Sequence, residues 1–293
     1  MLAYILNLAT LICINAVLAM TLNFIMGYAG IFSVAHAIFF GIGAYTAAYF
    51  SIHVSASLFL AVPVAMAVAA VLSLGLALPA LRVRGEYFVA ASLGLQMLGV
   101  TVFSEWKSVT GGIGGVIGIP PVELFGYAVA DPLQFLLLTV VCLLLVIGVI
   151  GILVRTSFGR NLKAIRDSES AAQAFGKNVA VIKTLSVMLS SSLAAVAGAL
   201  YAFYLGFINV ESFTLDTSVL LMAMVIIGGT GTLLGPIIGA ALLMLLPSLF
   251  SYMWFLPQTE IGSIQQIAYG VAMVLLMIYR PGGIVGSGAR SVK

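Results

Sequence analysis

The chain has 293 residues, of which 62% are hydrophobic and only 7% charged, with a formal net charge of +3. Soluble domains carry about 25% charged residues, so this chain lacks the groups needed to cover a water-facing surface, and an ordinary soluble fold is excluded. Lipid tolerates an apolar exterior but demands internal pairing of every backbone polar group, which leaves helices or a closed barrel; the apolar stretches run on without alternation and therefore read as helices.

A helix needs about 20 mainly apolar residues to cross the hydrocarbon core. In chain order the candidate spans are 4–26, 33–50, 57–80, 87–104, 133–154, 183–206, 216–229, 233–250 and 264–279, nine in all. The first has no positive region after Met1 and runs past Met20 into the next apolar stretch, so it reads as a retained helix and not a cleaved signal. Cys13 and Cys142 sit inside apolar runs without CxxC or Cys/His spacing and read as small buried hydrophobes.

Glycines 27, 30, 41 and 43 break the chain between and within the first two spans, or let backbones approach closely. Asn23 precedes the break, and Ser33 and His36 stand at the entrance to the second span. Polar groups at membrane depth face a partner or a water-filled path. Asn23, Gly27, Ser33 and His36 are thus candidates for a solute pathway, with hydrogen bonding between helices as the other reading. Gln96 in the fourth span and Gln265 and Gln266 at the start of the ninth are candidates on the same ground. The stretch 105–132, with "TGGIGG" and Pro120–Pro121, is a loop long enough to receive another protein.

The segment "RTSFGRNLKAIRDSESAAQAFGKNVAVIK" at 155–183 is the polar interruption of the chain. Gly159 and Gly176 bracket a helical stretch with Leu162, Ile165, Ala172 and Phe175 near one face and Arg160, Lys163, Arg166, Asp167 and Glu169 around the rest. Such a helix either docks in a groove of a soluble partner or lies on anionic headgroups. Farther on, Ser190–Ser192 with Ala194, Ala195, Ala197 and Gly198 reads as close helix packing through small residues. In "GGTGTLLGP" at 228–236 one helix must end and another begin. Helix termini leave unpaired amides and carbonyls, which makes Gly228 and Gly229 pathway candidates; the alternative is a tight turn at the inner surface.

Placement of Lys and Arg orients the chain. With nine passes, eleven of the twelve basic residues fall on one side: Arg82, Arg84, Arg155, Arg160, Lys163, Arg166, Lys177, Lys183, Arg280, Arg290 and Lys293. Lys107 falls opposite, with Glu105, Glu123, Asp131, Glu211, Asp216 and Glu260. The basic side is the cytoplasm, so the N-terminus lies outside and the C-terminus inside. Spans one to four and six to nine then run in opposite senses, as in an inverted repeat. Gly27-Tyr28 to Ser33 matches Gly206-Phe207 to Ser212 in spacing, and inverted repeats suit a transporter that exposes one midplane site to each side in turn.

His36 and His53 are the only histidines, and no acid or nucleophile stands at useful spacing, so neither a catalytic nor a metal site is indicated. A Gly-x4-Gly-Lys-Ser/Thr phosphate loop is missing; Gly176-Lys177-Asn178 lacks the earlier glycine and the hydroxyl. The chain is expected to bind no cofactor and to hydrolyse no ATP itself.

The 155–183 segment followed by "AAVAGALYAFYLGFINVESF" resembles the most characteristic stretch of permease subunits of bacterial ABC importers for branched-chain amino acids, the LivM type. "LNFIMGYAGIFSVAHAIFFGIGAYTAAYF", "LRVRGEYFVAASLG", "VTGGIGGVIGIP", "IIGGTGTLLGPIIGA" and "YRPGGI" are similar in order and spacing, so the resemblance covers nearly the whole chain. It implies an all-α polytopic permease, one transmembrane domain over 1–293 with a coupling loop at 155–183, in the bacterial cytoplasmic membrane. It also implies a homologous second permease, two cytoplasmic ATPase subunits that use ATP-Mg, and an extracytoplasmic solute-binding protein. Arg160, Lys163, Arg166, Asp167, Glu169, Ala171, Ala172, Phe175 and Gly176 would belong to the coupling helix. The general importer pattern is Glu-Ala-Ala-x3-Gly; here Ser170 displaces Glu169 by one residue while Ala172 and Gly176 keep their separation. The substrate would be a branched-chain amino acid or a related small polar solute, with urea or short-chain amides as alternatives. An ion-coupled secondary carrier is the competing class, weakened by spans nearly free of charge.

Overall fold

The computed structural model describes residues 2–81, 86–124, 127–129, 131–251, 261–279 and 282–286. Helix α1 (Leu2–Asn23) runs directly into a π-helical turn, Phe24–Tyr28. There follow α2 (His36–His53), α3 (Leu58–Leu81), α4 (Glu86–Glu105) and the single turn α5 (Lys107–Thr110). After two short strands, β1 (Val116–Ile117) and β2 (Glu123–Leu124), and a third, β3 (Tyr127–Ala128), comes α6 (Pro132–Arg155). The charged segment forms α7 (Ser157–Asp167) and α8 (Glu169–Ala174), and α9 (Val179–Leu205) leads through β4 (Phe207–Ile208) to α10 (Leu215–Gly228), α11 (Gly235–Ser251) and α12 (Ile261–Tyr279).

Each expected span falls on a helix. Ala3–Tyr28, Leu58–Gly75, Tyr87–Glu105, Pro132–Arg155 and Val179–Leu205 are long and apolar enough to cross a membrane, and Leu215–Gly228 and Gly235–Leu246 are shorter apolar helices. The chain is thus a helical, multi-pass membrane protein. Helix α2 owes its place to burial and not to hydropathy: thirteen of its eighteen residues are buried. It runs through the centre of the bundle, flanked by α3 and α9. Helix α6 lies at the edge, with Leu133, Leu137, Val141, Leu144, Leu145, Val149 and Ile152 exposed along one apolar stripe.

The boundaries shift for identifiable reasons. Helix α2 starts at His36 and not at 33, because the chain turns at Gly30 (φ +69°) and stays irregular to Ala35. Helix α9 starts at Val179, before the expected 183, because the Asn178 side chain caps it by accepting from the Val181 amide. The region expected as a plain loop at 105–132 contains α5, a 3-10 turn at Gly112–Gly114 and two small antiparallel sheets. In one, β1 pairs with β4, so the loop is stitched to the far end of α9 (Val116 opposite Ile208). Arg82, Arg84, Glu260, Arg280, Arg290 and Lys293 lie outside the described residues, as do the side chains of Gln265 and Gln266.

Packing is closest where α2 crosses α9. A Cβ added at Gly43 would overlap the Ala195 backbone, and one at Gly198 would overlap the Phe40 carbonyl oxygen. The small-residue run of α9 therefore brings two backbones into contact, the arrangement by which helices associate in lipid. Around this crossing α3 packs on α2 and α9, while α1 packs on α6, α9, α10 and α11.

Candidate functional site

Three groups of polar residues are candidates for a site. The first is a buried polar belt where α2 and α10 begin. The segments before both helices carry the chain into the bundle: Ser33, Val34 and Ala35 are buried, and so is Phe213. The two first turns then touch, since the Ala37 amide donates to Ser218 Oγ at 3.0 Å. The Val34 amide donates to Ser92 Oγ of α4, and the Ala35 amide to Ser33 Oγ. Gln96, fully buried, donates through Nε2 to the Phe213 carbonyl at 2.8 Å and accepts from Ser218 Oγ.

His36 lies in the same belt, 1% exposed, with Nε2 2.9 Å from Thr21 Oγ1. The Thr21 hydroxyl donates to the Leu18 carbonyl, so its oxygen accepts from His36 Nε2–H. That leaves Nδ1 as a lone pair without a partner among the described residues, in a buried site. The Ser190 hydroxyl donates to the Thr21 carbonyl at 2.6 Å. The belt thus joins α1, α2, α4, α9 and α10 through neutral hydroxyl, amide and imidazole groups. Of the pathway residues expected from sequence it gathers Ser33, His36 and Gln96. Thr21, Ser92 and Ser218 have no signature in the sequence, because a lone hydroxyl in an apolar run carries no local signal.

The second group is at the end of α1. Asn23 is buried and uses both ends of its amide on the α10–α11 turn: Oδ1 accepts from the Gly231 amide at 2.8 Å, and Nδ2 donates to the Thr232 carbonyl at 2.7 Å. Gly27 packs against Gly231 so closely that an added Cβ would overlap the Gly231 amide nitrogen. The Gly228–Pro236 segment is a turn, closed by Thr232 Oγ1 donating to the Gly229 carbonyl and accepting from the Gly235 amide. Gly228 and Gly229 are buried beneath Ile284 and Val285, whose amides donate to the Ile227 and Gly228 carbonyls. Asn23 and Gly27 therefore belong with Gly228 and Gly229 in a clamp on this turn, away from Ser33, His36 and Gln96.

The third group is the charged helix pair. The single helix expected between Gly159 and Gly176 is broken at Ser168, which is extended and whose hydroxyl caps α8 by accepting from the Ala171 amide. The apolar residues of the segment divide. Leu162, Ile165 and Ala172 are buried in the chain's own core, Ile165 and Ala172 clustering with Val179 and Ile182, whereas Phe175 is 83% exposed. Among the charged residues, Arg160 folds back to donate to Ser157 Oγ, Lys163 sits 5.7 Å over the Tyr28 ring, and Glu169 pairs with Lys183 of α9 at 2.7 Å. Arg166 donates to Asp167 Oδ1 and, through Nη1, to the Gly27 carbonyl at 2.8 Å. Ala171 and Gly176 are exposed beside Phe175.

Comparison with known proteins decides the family. Residues 4–279 match the family described as branched-chain amino acid transport system / permease component. The chain belongs to this permease family. It is 31% identical to the high-affinity branched-chain amino acid transport system permease protein LivM of Escherichia coli (strain K12), over 95% of this chain and 69% of that protein. The probable branched-chain amino acid transport permease protein LivM of Methanocaldococcus jannaschii is 28% identical over 45% of this chain and 41% of its own length. The autoinducer 2 import system permease protein LsrC of Photorhabdus luminescens is 32% identical over 33% of this chain and 31% of its own. No solved structure matches the chain at a significant level. Within this permease, the polar belt, the clamp at the end of α1 and the charged helix pair are where polar side chains bond from a helix to another element.

Proposed function

We propose that this permease is the membrane-spanning subunit of an ATP-driven importer that moves branched-chain amino acids, or related small polar solutes, across the bacterial cytoplasmic membrane. The relatives named for branched-chain amino acid transport support the substrate class. The partial likeness to an autoinducer 2 permease supports keeping other small polar solutes, urea and amides among them, within the tested range. Its partners are a homologous second permease, two cytoplasmic ATP-binding subunits that use ATP-Mg, and an extracytoplasmic solute-binding protein. The N-terminus lies outside and the C-terminus in the cytoplasm.

The observation that carries the ATP-driven reading is the division of the charged helix pair: Leu162, Ile165 and Ala172 hold it to the spans, while Phe175 points a large apolar side chain into solvent. An exposed aromatic flanked by Ala171 and Gly176 suits a groove on a soluble partner. Movement of that partner on ATP binding would shift the pair and, with it, the balance between inward- and outward-open arrangements. Replacing Phe175 with aspartate should remove the ATPase subunits from the affinity-purified complex and abolish uptake of leucine, isoleucine and valine, while the chain still inserts. Full retention of the ATPase subunits in that variant would sink the assignment.

The inverted repeat is supported by how the helices pair. Helix α9 packs on α2 and α3 as α1 packs on α10 and α11, and α4 sits on α2 and α3 as α12 sits on α10 and α11. His36 and Leu215, which begin α2 and α10, are as far apart in the chain as Gly27 and Gly206. Two helix starts that touch inside the bundle suit a central gate. The belt between them is closed in this arrangement, and His36 Nδ1 is the acceptor that an ammonium or amide donor of a solute would meet when it opens.

A further inference from the structure

We infer that Arg166 is a positioning residue within the permease: it latches α7 to the inner end of α1 and to the α10–α11 turn, and the π-helical turn Phe24–Tyr28 is the joint through which that latch moves the spans. The inference rests on the importer reading above but makes Arg166 an internal lever and not a contact for the ATPase.

The guanidinium is already engaged. Nη1 donates to the Gly27 carbonyl at 2.8 Å, and Nε and Nη2 donate to Asp167 Oδ1 at 3.1 and 3.0 Å. Gly27 lies in the π-helical turn at the end of α1, where carbonyls run out of intrahelical partners; Arg166 supplies the missing donor with a charge-assisted bond. The backbone is shaped to admit this side chain. Gly30 adopts φ +69° and a Cβ there would stand 2.8 Å from Arg166 Cγ, while Gly231 adopts φ +73° with Arg166 Nη1 3.6 Å from where its Cβ would be. Left-handed backbone at both places is open to glycine at little cost.

Two further contacts fix the same surfaces. Phe158 near the start of α7 stacks on Phe24 with ring centroids 6.5 Å apart, and Lys163, one turn before Arg166, lies over Tyr28. Helix α7 therefore touches the π-turn at Phe24, Gly27 and Tyr28 in succession. Asn23, the residue before that turn, holds Gly231 and Thr232. A shift of α7 thus reaches α1 directly and the α10–α11 turn through Asn23. π-helical turns inside α-helices concentrate at functional sites because the ladder there is already interrupted.

The test uses the full chain assembled with its partner permease and ATPase subunits in nanodiscs and proteoliposomes, comparing Arg166→Gln, Arg166→Lys and the wild type. Arg166→Gln should keep the ATPase subunits bound and ATP turnover within about twofold, while solute moved per ATP falls about tenfold or more, the effect of losing a charge-assisted bond that favours one arrangement. Deuterium uptake in peptides covering 24–31 and 229–235 should rise in the same variant, and Arg166→Lys should recover part of the transport. Dissociation of the ATPase subunits from Arg166→Gln would make Arg166 a partner contact and overturn the latch; so would unchanged uptake or unchanged exchange. The exchange measurement, made on the permease alone, reads the latch whether or not ATP drives the system. Failure of the wild type to show ATP-dependent uptake would instead overturn the importer reading.

Discussion

Leucine in place of Gly198 should leave almost no monodisperse permease in detergent, and alanine at the same place should already lower the thermal midpoint. A Cβ at Gly198 meets the Phe40 carbonyl oxygen directly and stands 2.6 Å from the Ala44 amide nitrogen. Both neighbours are backbone, so no rotamer change makes room and α2 must move off α9. On the other side of the crossing Gly43 faces the Ala195 backbone, and a shift of either helix separates this pair too. Overpacking a core by a methylene or two costs about 1–3 kcal/mol, so alanine should fall near the top of that range and leucine beyond it. The control is Gly148 in α6, where an added Cβ has nothing within 4 Å. There alanine should be neutral or raise the midpoint, because glycine costs a helix interior up to about 1 kcal/mol relative to alanine. Fluorescence-detected size exclusion after heating reads all three variants on one scale; equal midpoints for Gly198→Ala and Gly148→Ala would refute the close crossing.

Asn23→Leu should preserve insertion yet loosen the α10–α11 turn. Leucine keeps the branched, four-heavy-atom outline of asparagine, with more bulk, but offers neither Oδ1 to the Gly231 amide nor Nδ2 to the Thr232 carbonyl, which now bond at 2.8 and 2.7 Å. Each unsatisfied buried group costs about 1–3 kcal/mol, and exchange of the Gly231 amide should accelerate on the order of 30-fold or more when that stabilisation is lost locally. Uptake should fall with it. Because Arg166 holds the π-turn at Gly27 and Asn23, the residue before that turn, holds the α10–α11 turn, the double variant Asn23→Leu/Arg166→Gln should be less than additive, as expected of residues coupled through one backbone segment. Strict additivity in exchange rates would mean that the clamp and the charged helix act separately.

How much of this was legible in the residues themselves differs from part to part. Long apolar runs announced the helices at Pro132–Arg155 and Val179–Leu205 because a helix in lipid satisfies its own backbone and needs nothing from the rest of the chain. The small residues of α9 announced a close crossing, though not that Gly43 and Phe40 would be the neighbours. Residues 155–183 stood out by charge, yet the break at Ser168 depends on one cap, and a serine in a polar helix looks the same whether it caps or not. Asn23 and Gly27 stand near Ser33 and His36 in the sequence and read with them as one pathway; that the Asn23 side chain bonds to Gly231 and Thr232 has no local signature. Arg166 read as part of the coupling helix, and its bond to the Gly27 carbonyl has no signature in the sequence.

Composition together with the length and continuity of the apolar runs therefore determined that the chain lives in lipid, that it is helical, and where most helices run, since those outcomes follow from local transfer and backbone pairing. The order of its motifs also carried the family. Only the tertiary structure decided where α2 begins, which hydroxyls meet Gln96 and His36, and that Arg166 reaches the Gly27 carbonyl. The last two rest on hydrogen bonds between residues well apart in the chain, Ser218 to Gln96 and Arg166 to the Gly27 carbonyl among them. In an apolar bundle a polar side chain must bond to whatever donor or acceptor the packing brings near, and which one that is depends on the packing of all the helices together.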